Sequence, residues 1–134
     1  MKSFFKFGIM VIILGGFSIT CSKAPHLKPG YKTPEEIAEE YHSALRWQDY
    51  DLARGFIIPE AIPEFDNFVK ANSKILHILE FKINSAELSD DGYLAHVKIT
   101  RSYYIIPSVT KKEEILVQTW KLLNGKWLLA GPPF

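Results

Sequence analysis

The sequence predicts an α+β domain: N-terminal helices packed on a curved antiparallel sheet of about four strands. Two observations predict it. From Thr33 to Ser73 apolar residues recur at helical spacing, and from Lys74 onward they alternate with polar ones. The alternating segments are joined by short turn signals, which favours a meander over crossover connections and lays the helices against one sheet face.

The first helix opens at Thr33-Pro34-Glu35-Glu36, with a hydroxyl at the N-cap, proline at the first helical position and Glu at the third. This is a capping box. Glu35, Glu36, Glu39 and Glu40 crowd the positive end of the helix dipole, where carboxylates are favourable. Ile37, Tyr41, Ala44, Leu45 and Gln48 follow at helical spacing, and Ala38 widens the apolar face. Asp49 is placed to cap a second short helix through Leu52, Ala53 and Phe56, with Pro59 beyond its end. Pro63 to Ser73 reads as a third helix carrying Phe65, Phe68 and Val69.

In the second half, Leu79, Phe81 and Ile83 alternate with Glu80, Lys82 and Asn84, the pattern of a half-buried strand. Asp90-Asp91-Gly92 marks a hairpin turn. Tyr93, Ala95, Val97 and Ile99 then alternate with His96, Lys98 and Thr100 in a second strand. Pro107 and Ser108 mark the next turn, and Glu113 to Leu123 forms a third strand. Asn124-Gly125 is a strong two-residue turn. Lys126 to Ala130 returns as a fourth strand, stopped by Pro132-Pro133.

The N-terminus has a different character. Lys2 and Lys6 precede an uncharged apolar run from Phe7 to Thr20, the layout of a secretory signal. The run is shorter than the ~20 apolar residues a spanning helix needs. Cys21, the chain's one cysteine, follows at once, so no intramolecular disulfide can form. Ser18-Ile19-Thr20-Cys21 resembles the processing box of bacterial lipoprotein precursors, although Leu is missing at its first position and Thr stands where a smaller residue is usual. The resemblance implies acylation of Cys21 and a site at the bacterial cell envelope. Ser22 is similar to the sorting residue of proteins sent to the periplasmic face of the outer membrane, where the host has one. An ordinary secretory signal beside a free cysteine and an uncleaved anchor are the alternatives.

The expected organisation is therefore a signal over 1–20, a lipidated cysteine with a tether over 21–32, and one domain over 33–134. The chain has 16 basic and 15 acidic residues; without the two lysines of the signal the balance is 14 against 15. No basic cluster favours nucleic acid as a partner.

Glu36-Ile37-Ala38-Glu39-Glu40-Tyr41-His42-Ser43-Ala44-Leu45, the segment Gln48 to Ala53, and the tail Thr119 to Trp127 resemble the nuclear transport factor 2-like domain, also called the cystatin-like α+β cone. The likeness covers about residues 33–131 and rests on pattern and element order. It implies a pocket between helices and sheet, and often a homodimer through the outer sheet face. The family includes ketosteroid isomerases, dehydratases, polyketide cyclases and many small secreted or lipid-anchored domains without known activity, so fold does not settle function.

Strand parity places Arg101 on the apolar face with Ala95, Val97 and Ile99, where an unpaired cation is costly. It is either a pocket arginine for an anionic ligand, an ion-pair partner of a helix glutamate, or turned outward by a bulge. The expected pocket residues are Arg101, Tyr41, Tyr103 and Trp120, and the aromatics Trp47, Tyr103, Trp120 and Trp127 are expected to fill the core. His96 falls on the polar face of its strand, and the parity at His77 is open. Glu39-x-x-His42 has the spacing of half a di-metal carboxylate motif. With one copy and no partner helices it reads as a solvated helix face.

An isomerase-type site needs a carboxylate base, a tyrosine and a protonated acid. Tyr41, Tyr103, Asp66 and Glu64 supply the residue types, but none falls on an identifiable catalytic position. Gly-rich phosphate loops, metal-ligand clusters and nucleophile elbows are lacking, so no catalytic residue, metal or cofactor is assigned. The expectation is a membrane-anchored module binding a small molecule or an envelope protein; the alternative is a small acid-base enzyme of the isomerase or dehydratase type.

Overall fold

A computed structural model describes residues 30–134; the signal-like segment, Cys21 and most of the tether lie outside the described residues. The elements are α1 (Pro34–Arg46), α2 (Tyr50–Arg54), a 3-10 turn (Pro59–Ala61), α3 (Ile62–Asn72), and strands β1 (Leu76–Leu88), β2 (Leu94–Ile105), β3 (Lys112–Leu123) and β4 (Lys126–Leu129). The strands form one sheet in the order β1-β2-β3-β4, each pair antiparallel. This is the α+β arrangement the sequence predicts, with the helices on one sheet face.

The capping box is present in full. The Thr33 hydroxyl accepts from the Glu36 amide at 3.2 Å, and the Glu36 carboxylate accepts from the Thr33 amide at 2.8 Å. Thr33→Ala should therefore cost about 1 kcal/mol. Urea denaturation checks this; an unchanged midpoint would mean the cap contributes nothing. Asp49 caps α2 as expected, accepting from the Leu52 amide at 3.2 Å.

Two expectations at the end of α1 are corrected. Gln48 does not continue the apolar face; it lies past the helix with φ 57°, and its side-chain amide donates to the Leu76 carbonyl at 3.3 Å. Trp47 does not fill the core. It is the C-cap residue, 75% exposed, with the Arg46 guanidinium 5.6 Å from its ring. The left-handed turn at Gln48 ends the helix before Trp47 can reach the sheet.

The inward set of β1 also differs from simple alternation. Leu76 and Ile78 are buried, then a bulge between Ile78 and Glu80 shifts the parity. Leu79 is left exposed, and Phe81 and Ile83 resume a half-buried inward face. A second irregularity falls between Ile83 and Ser85. Tyr93, expected on the inner face of β2, precedes the strand and is 54% exposed.

The core forms between Ile37, Ala38, Tyr41 and Leu45 of α1 and the inner sheet face of Ala95, Val97, Ile99, Trp120, Trp127 and Leu129. Phe65 of α3 closes one side, and Phe134 of the C-terminal tail packs edge-on against it at 5.3 Å. Among the described residues, no helix is long and apolar enough to cross a membrane.

Candidate functional site

On the inner face of β2 the side chains run Ala95, Val97, Ile99, Arg101, and beside them on β3 run Trp120, Gln118, Leu116 and Glu114. Arg101 is 6% exposed, as parity demanded. Its Nε donates to the Glu114 carboxylate, whose side chain is 30% exposed. The partner is thus the facing residue on the next strand; a helix glutamate was one of the three alternatives the sequence left open. Arg101 Nη1 has no partner among the described residues.

Above this floor lie Tyr41 and His42 of α1, both fully buried. Tyr41 meets Trp120 edge-on at 5.7 Å and His42 edge-on at 5.0 Å. Burial raises the Tyr41 hydroxyl well above the ordinary tyrosine range, opposed by the nearby Arg101 charge. Burial likewise lowers the His42 imidazole to about 4; the bond to Gln118 works against that shift and Arg101 adds to it. At neutral pH both groups are uncharged.

The protonation geometry of His42 follows from its neighbours. Gln118 Nε2 donates to the Pro133 carbonyl at 2.8 Å, and a carbonyl can only accept. The Gln118 amide oxygen must therefore face His42 Nε2, at 2.9 Å, and His42 must donate from Nε2. Nδ1 is left with a buried lone pair and no partner in the described chain. Tyr41 Oη and Trp120 Nε1 are buried in the same condition. With Arg101 Nη1, Ser102 Oγ and Trp127 Nε1 they make six buried side-chain atoms without a partner among the described residues; such atoms are nearly always hydrogen-bonded, to protein or to ordered water.

Of the sequence-predicted residues, the structure brings Arg101, Tyr41 and Trp120 to this wall. Tyr103 lies on the same β2 face but is half-buried, farther toward the strand end. Asp66 and Glu64 do not join it: both are exposed on α3, and Asp66 accepts from Arg54 at 2.9 Å. His96 is exposed beside Thr119, as expected, and His77 stacks on Tyr104 with ring centroids 4.9 Å apart.

His42 is the residue the sequence reading misplaced. It was expected on a solvated face with Glu39; Glu39 is exposed, but His42 is enclosed. The signal was available in Ala38, His42 and Leu45, which share one helix stripe at i, i+4 and i+7. Gln118 likewise sits between Leu116 and Trp120 in strict alternation.

A small cleft of about 130 Å³ opens beside Arg101, lined by Glu80, Phe81, Lys82, Thr100 and Ser102 among others. Its volume matches roughly four waters or a small polar group. A larger open depression of about 800 Å³ runs beside α1, lined by Glu36, Glu39, Glu40, Ala44, Trp47, Phe56 and Phe81 among others, and includes none of Tyr41, His42, Arg101 and Trp120. Among the described residues, no three His, Cys, Asp or Glu side chains are grouped to hold a metal ion.

Helices laid on one face of a four-stranded antiparallel sheet make an α+β fold of the NTF-2-like, cystatin-like kind. Three solved structures share that fold. A SEC-C motif containing protein from Rhodopseudomonas palustris superposes with TM-score 0.63 at 17% identity, over 73% of this chain and 75% of that one. An LEH-like epoxide hydrolase from Mycobacterium tuberculosis gives 0.55 at 14% identity, over 74% and 80%. An NTF-2 like protein of unknown function from Shewanella oneidensis MR-1 gives 0.54 at 12%, over 72% and 90%. The chain matches no protein-family model and no curated protein. Likeness at these identities is a likeness of fold.

Proposed function

We propose that the domain is a binding module held at the bacterial cell envelope through a lipidated Cys21, and that its inner wall takes a small molecule bearing an acceptor group such as a carboxylate. The observation that carries this reading is Arg101, which lines the small cleft and whose buried Nη1 has no partner among the described residues, with Tyr41 Oη, Trp120 Nε1 and His42 Nδ1 unpartnered deeper in the interior. Three of them can donate, and one belongs to a fixed cation. Leaving such groups unsatisfied costs about 1–3 kcal/mol each, which a bound acceptor recovers. The same wall supports the enzymatic alternative at one point, because the His42 Nδ1 lone pair is the group an acid-base reaction would use. The epoxide hydrolase among the fold neighbours supports that alternative by analogy of scaffold alone. Exposed Ile115 and Val117 on the outer sheet face support pairing of two copies there.

Native mass spectrometry after gentle purification tests the binding reading. The expected result is a retained extra mass that is lost in Arg101→Ala. A protein that is bare in both forms, with Arg101→Ala equal to wild type in stability, sinks the reading. Identification of the retained compound as a product-substrate pair would favour the enzyme.

The address is tested separately. Cys21→Ser should release the protein from the membrane fraction and abolish fatty-acid labelling, since two acyl chains at about 0.8 kcal/mol per buried methylene hold firmly. A variant that still labels and still sediments with membranes excludes lipidation at Cys21.

A further inference from the structure

The large depression beside α1 begins where the described chain begins. Lys32 lines it, and its ammonium group donates to the Glu40 carboxylate, two turns into α1. From there it runs past Ala44 to Trp47, the length of α1, which is about 20 Å at 1.5 Å per residue. Tyr31 marks the other side of the entrance, its ring lying over Gly125 of the β3–β4 turn so closely that no side chain fits there. Gly30 sits at this lip with φ 104°. Pro29-Gly30 is the sequence pair of a type II turn, which places proline second and a left-handed glycine third.

The rim of the depression is acidic on balance, with Glu36, Glu39, Glu40 and Asp49 against Lys32 and Arg46. Lys32 is engaged by Glu40, and the Arg46 guanidinium lies 5.6 Å from the Trp47 ring. Glu39 is exposed and has no ion-pair partner among the described residues. Apolar surface lies between these charges, including Leu52, which is 54% exposed, and Phe56.

We propose that this depression is the seat of residues 22–29 of the same chain. The segment reads Ser-Lys-Ala-Pro-His-Leu-Lys-Pro. Lys23 and Lys28 give it positive charge, it holds no acid, and Leu27 supplies an apolar group for the floor. Eight residues reach at most about 28 Å, enough to follow α1 from the lip to Trp47. The covalent join at Gly30 sets an effective concentration on the order of millimolar, an advantage that a separate basic peptide lacks. Pro25 and Pro29 restrict the free segment, so less entropy is lost when it is laid down. Exposed ion pairs are individually weak, which makes the contact reversible and sensitive to salt. Laid down, the segment brings residue 21 beside the end of α1 and holds the domain close to whatever Cys21 is joined to. Lifted, it uncovers the depression and lets the domain stand off by the segment's own length. The contact requires neither acylation of Cys21 nor a ligand on the inner wall.

A nitroxide on Cys21, the chain's one cysteine, tests this in the full chain, kept unacylated in neutral detergent micelles. The expected result at low salt is paramagnetic loss of the Ser43, Ala44 and Trp47 amide signals, well beyond any loss at the β3–β4 turn. High salt should restore them. Lys28→Glu should lower the docked-to-free ratio about fivefold, and so should Glu39→Lys. Combining the two substitutions re-forms the pair in reverse and should restore the wild-type pattern. Glu39 is exposed, so an otherwise unchanged amide spectrum shows that the fold is kept. Losses spread evenly over the domain, or gathered on another face, overturn the proposal. Losses that salt and the charge reversals leave unchanged overturn the choice of a basic occupant. In a mixture of nitroxide-bearing chains with isotope-labelled, nitroxide-free ones, losses at Ser43 and Trp47 assign the depression to a neighbouring copy's segment, which also overturns it.

Discussion

Lowering the pH from above 6.5 to about 4 should remove about 3 kcal/mol of folding stability through His42 alone. The imidazole is lowered to about 4 in the folded protein, against 6.5 when the chain is unfolded. Between those values the unfolded chain binds a proton that the folded chain refuses. The stability is therefore fully present above 6.5 and is lost progressively as the pH falls toward 4. The cause is burial first, with the Arg101 charge adding to it, while the bond to Gln118 offsets part of the effect. Asp66 and Asp91 are held below the usual carboxylate range by their hydrogen bonds, so their exposed contributions fade at still lower pH. Urea titrations across the window measure the slope. His42→Gln keeps an amide donor for Gln118 and cannot titrate, so its slope in this window should flatten. A variant with the wild-type slope would place the titration elsewhere in the molecule.

Trp120→Ala should be the most damaging single truncation, at about 3–5 kcal/mol. Its indole is fully buried on β3, opposite Ala95 of β2, and meets Tyr41 of α1 edge-on at 5.7 Å. Removing it opens a cavity where the sheet meets the helix, and the small Ala95 offers nothing to refill it. The edge-on contact adds about 0.5–1.5 kcal/mol beyond the lost area. Trp47→Ala is the internal control: the ring is largely in water, so its loss should stay within about 0.5 kcal/mol. Denaturation midpoints compare the two directly. Equal losses would contradict the packing described here.

The fold was readable because its signals are local. Thr33 and Glu36 cap each other within one turn, and Asn124-Gly125 makes its hairpin with both residues at positive φ. Arg101 was placed correctly because β2 alternates without a break from Ala95 to Arg101. Its partner Glu114 was not, since cross-strand register depends on the whole β2–β3 hairpin. Parity failed on β1, where a bulge turns Leu79 to solvent, and helical spacing failed at Gln48, where one left-handed residue ends α1. The miss at His42 is of another kind. The spacing from Glu39 suggests a solvated face, whereas the spacing from Ala38 and Leu45 puts His42 inside. A polar residue in an apolar stripe marks a place where the interior does something other than pack. Gln118 carries the same mark.

The two irregularities in β1 matter for how many copies of this chain can sit side by side. β1 is the longest strand, with 13 residues, and it forms one border of the sheet. An unbroken border of that length presents a row of amide and carbonyl groups that a neighbouring chain could extend into a continuous stack. Here the row is interrupted after Ile78 and again after Ile83, and exposed Lys82 stands between the interruptions. The register shifts from one stretch to the next, so a straight second strand cannot pair along the whole border in a single register. Edge-to-edge extension of one copy's sheet by another's is thus disfavoured along this border.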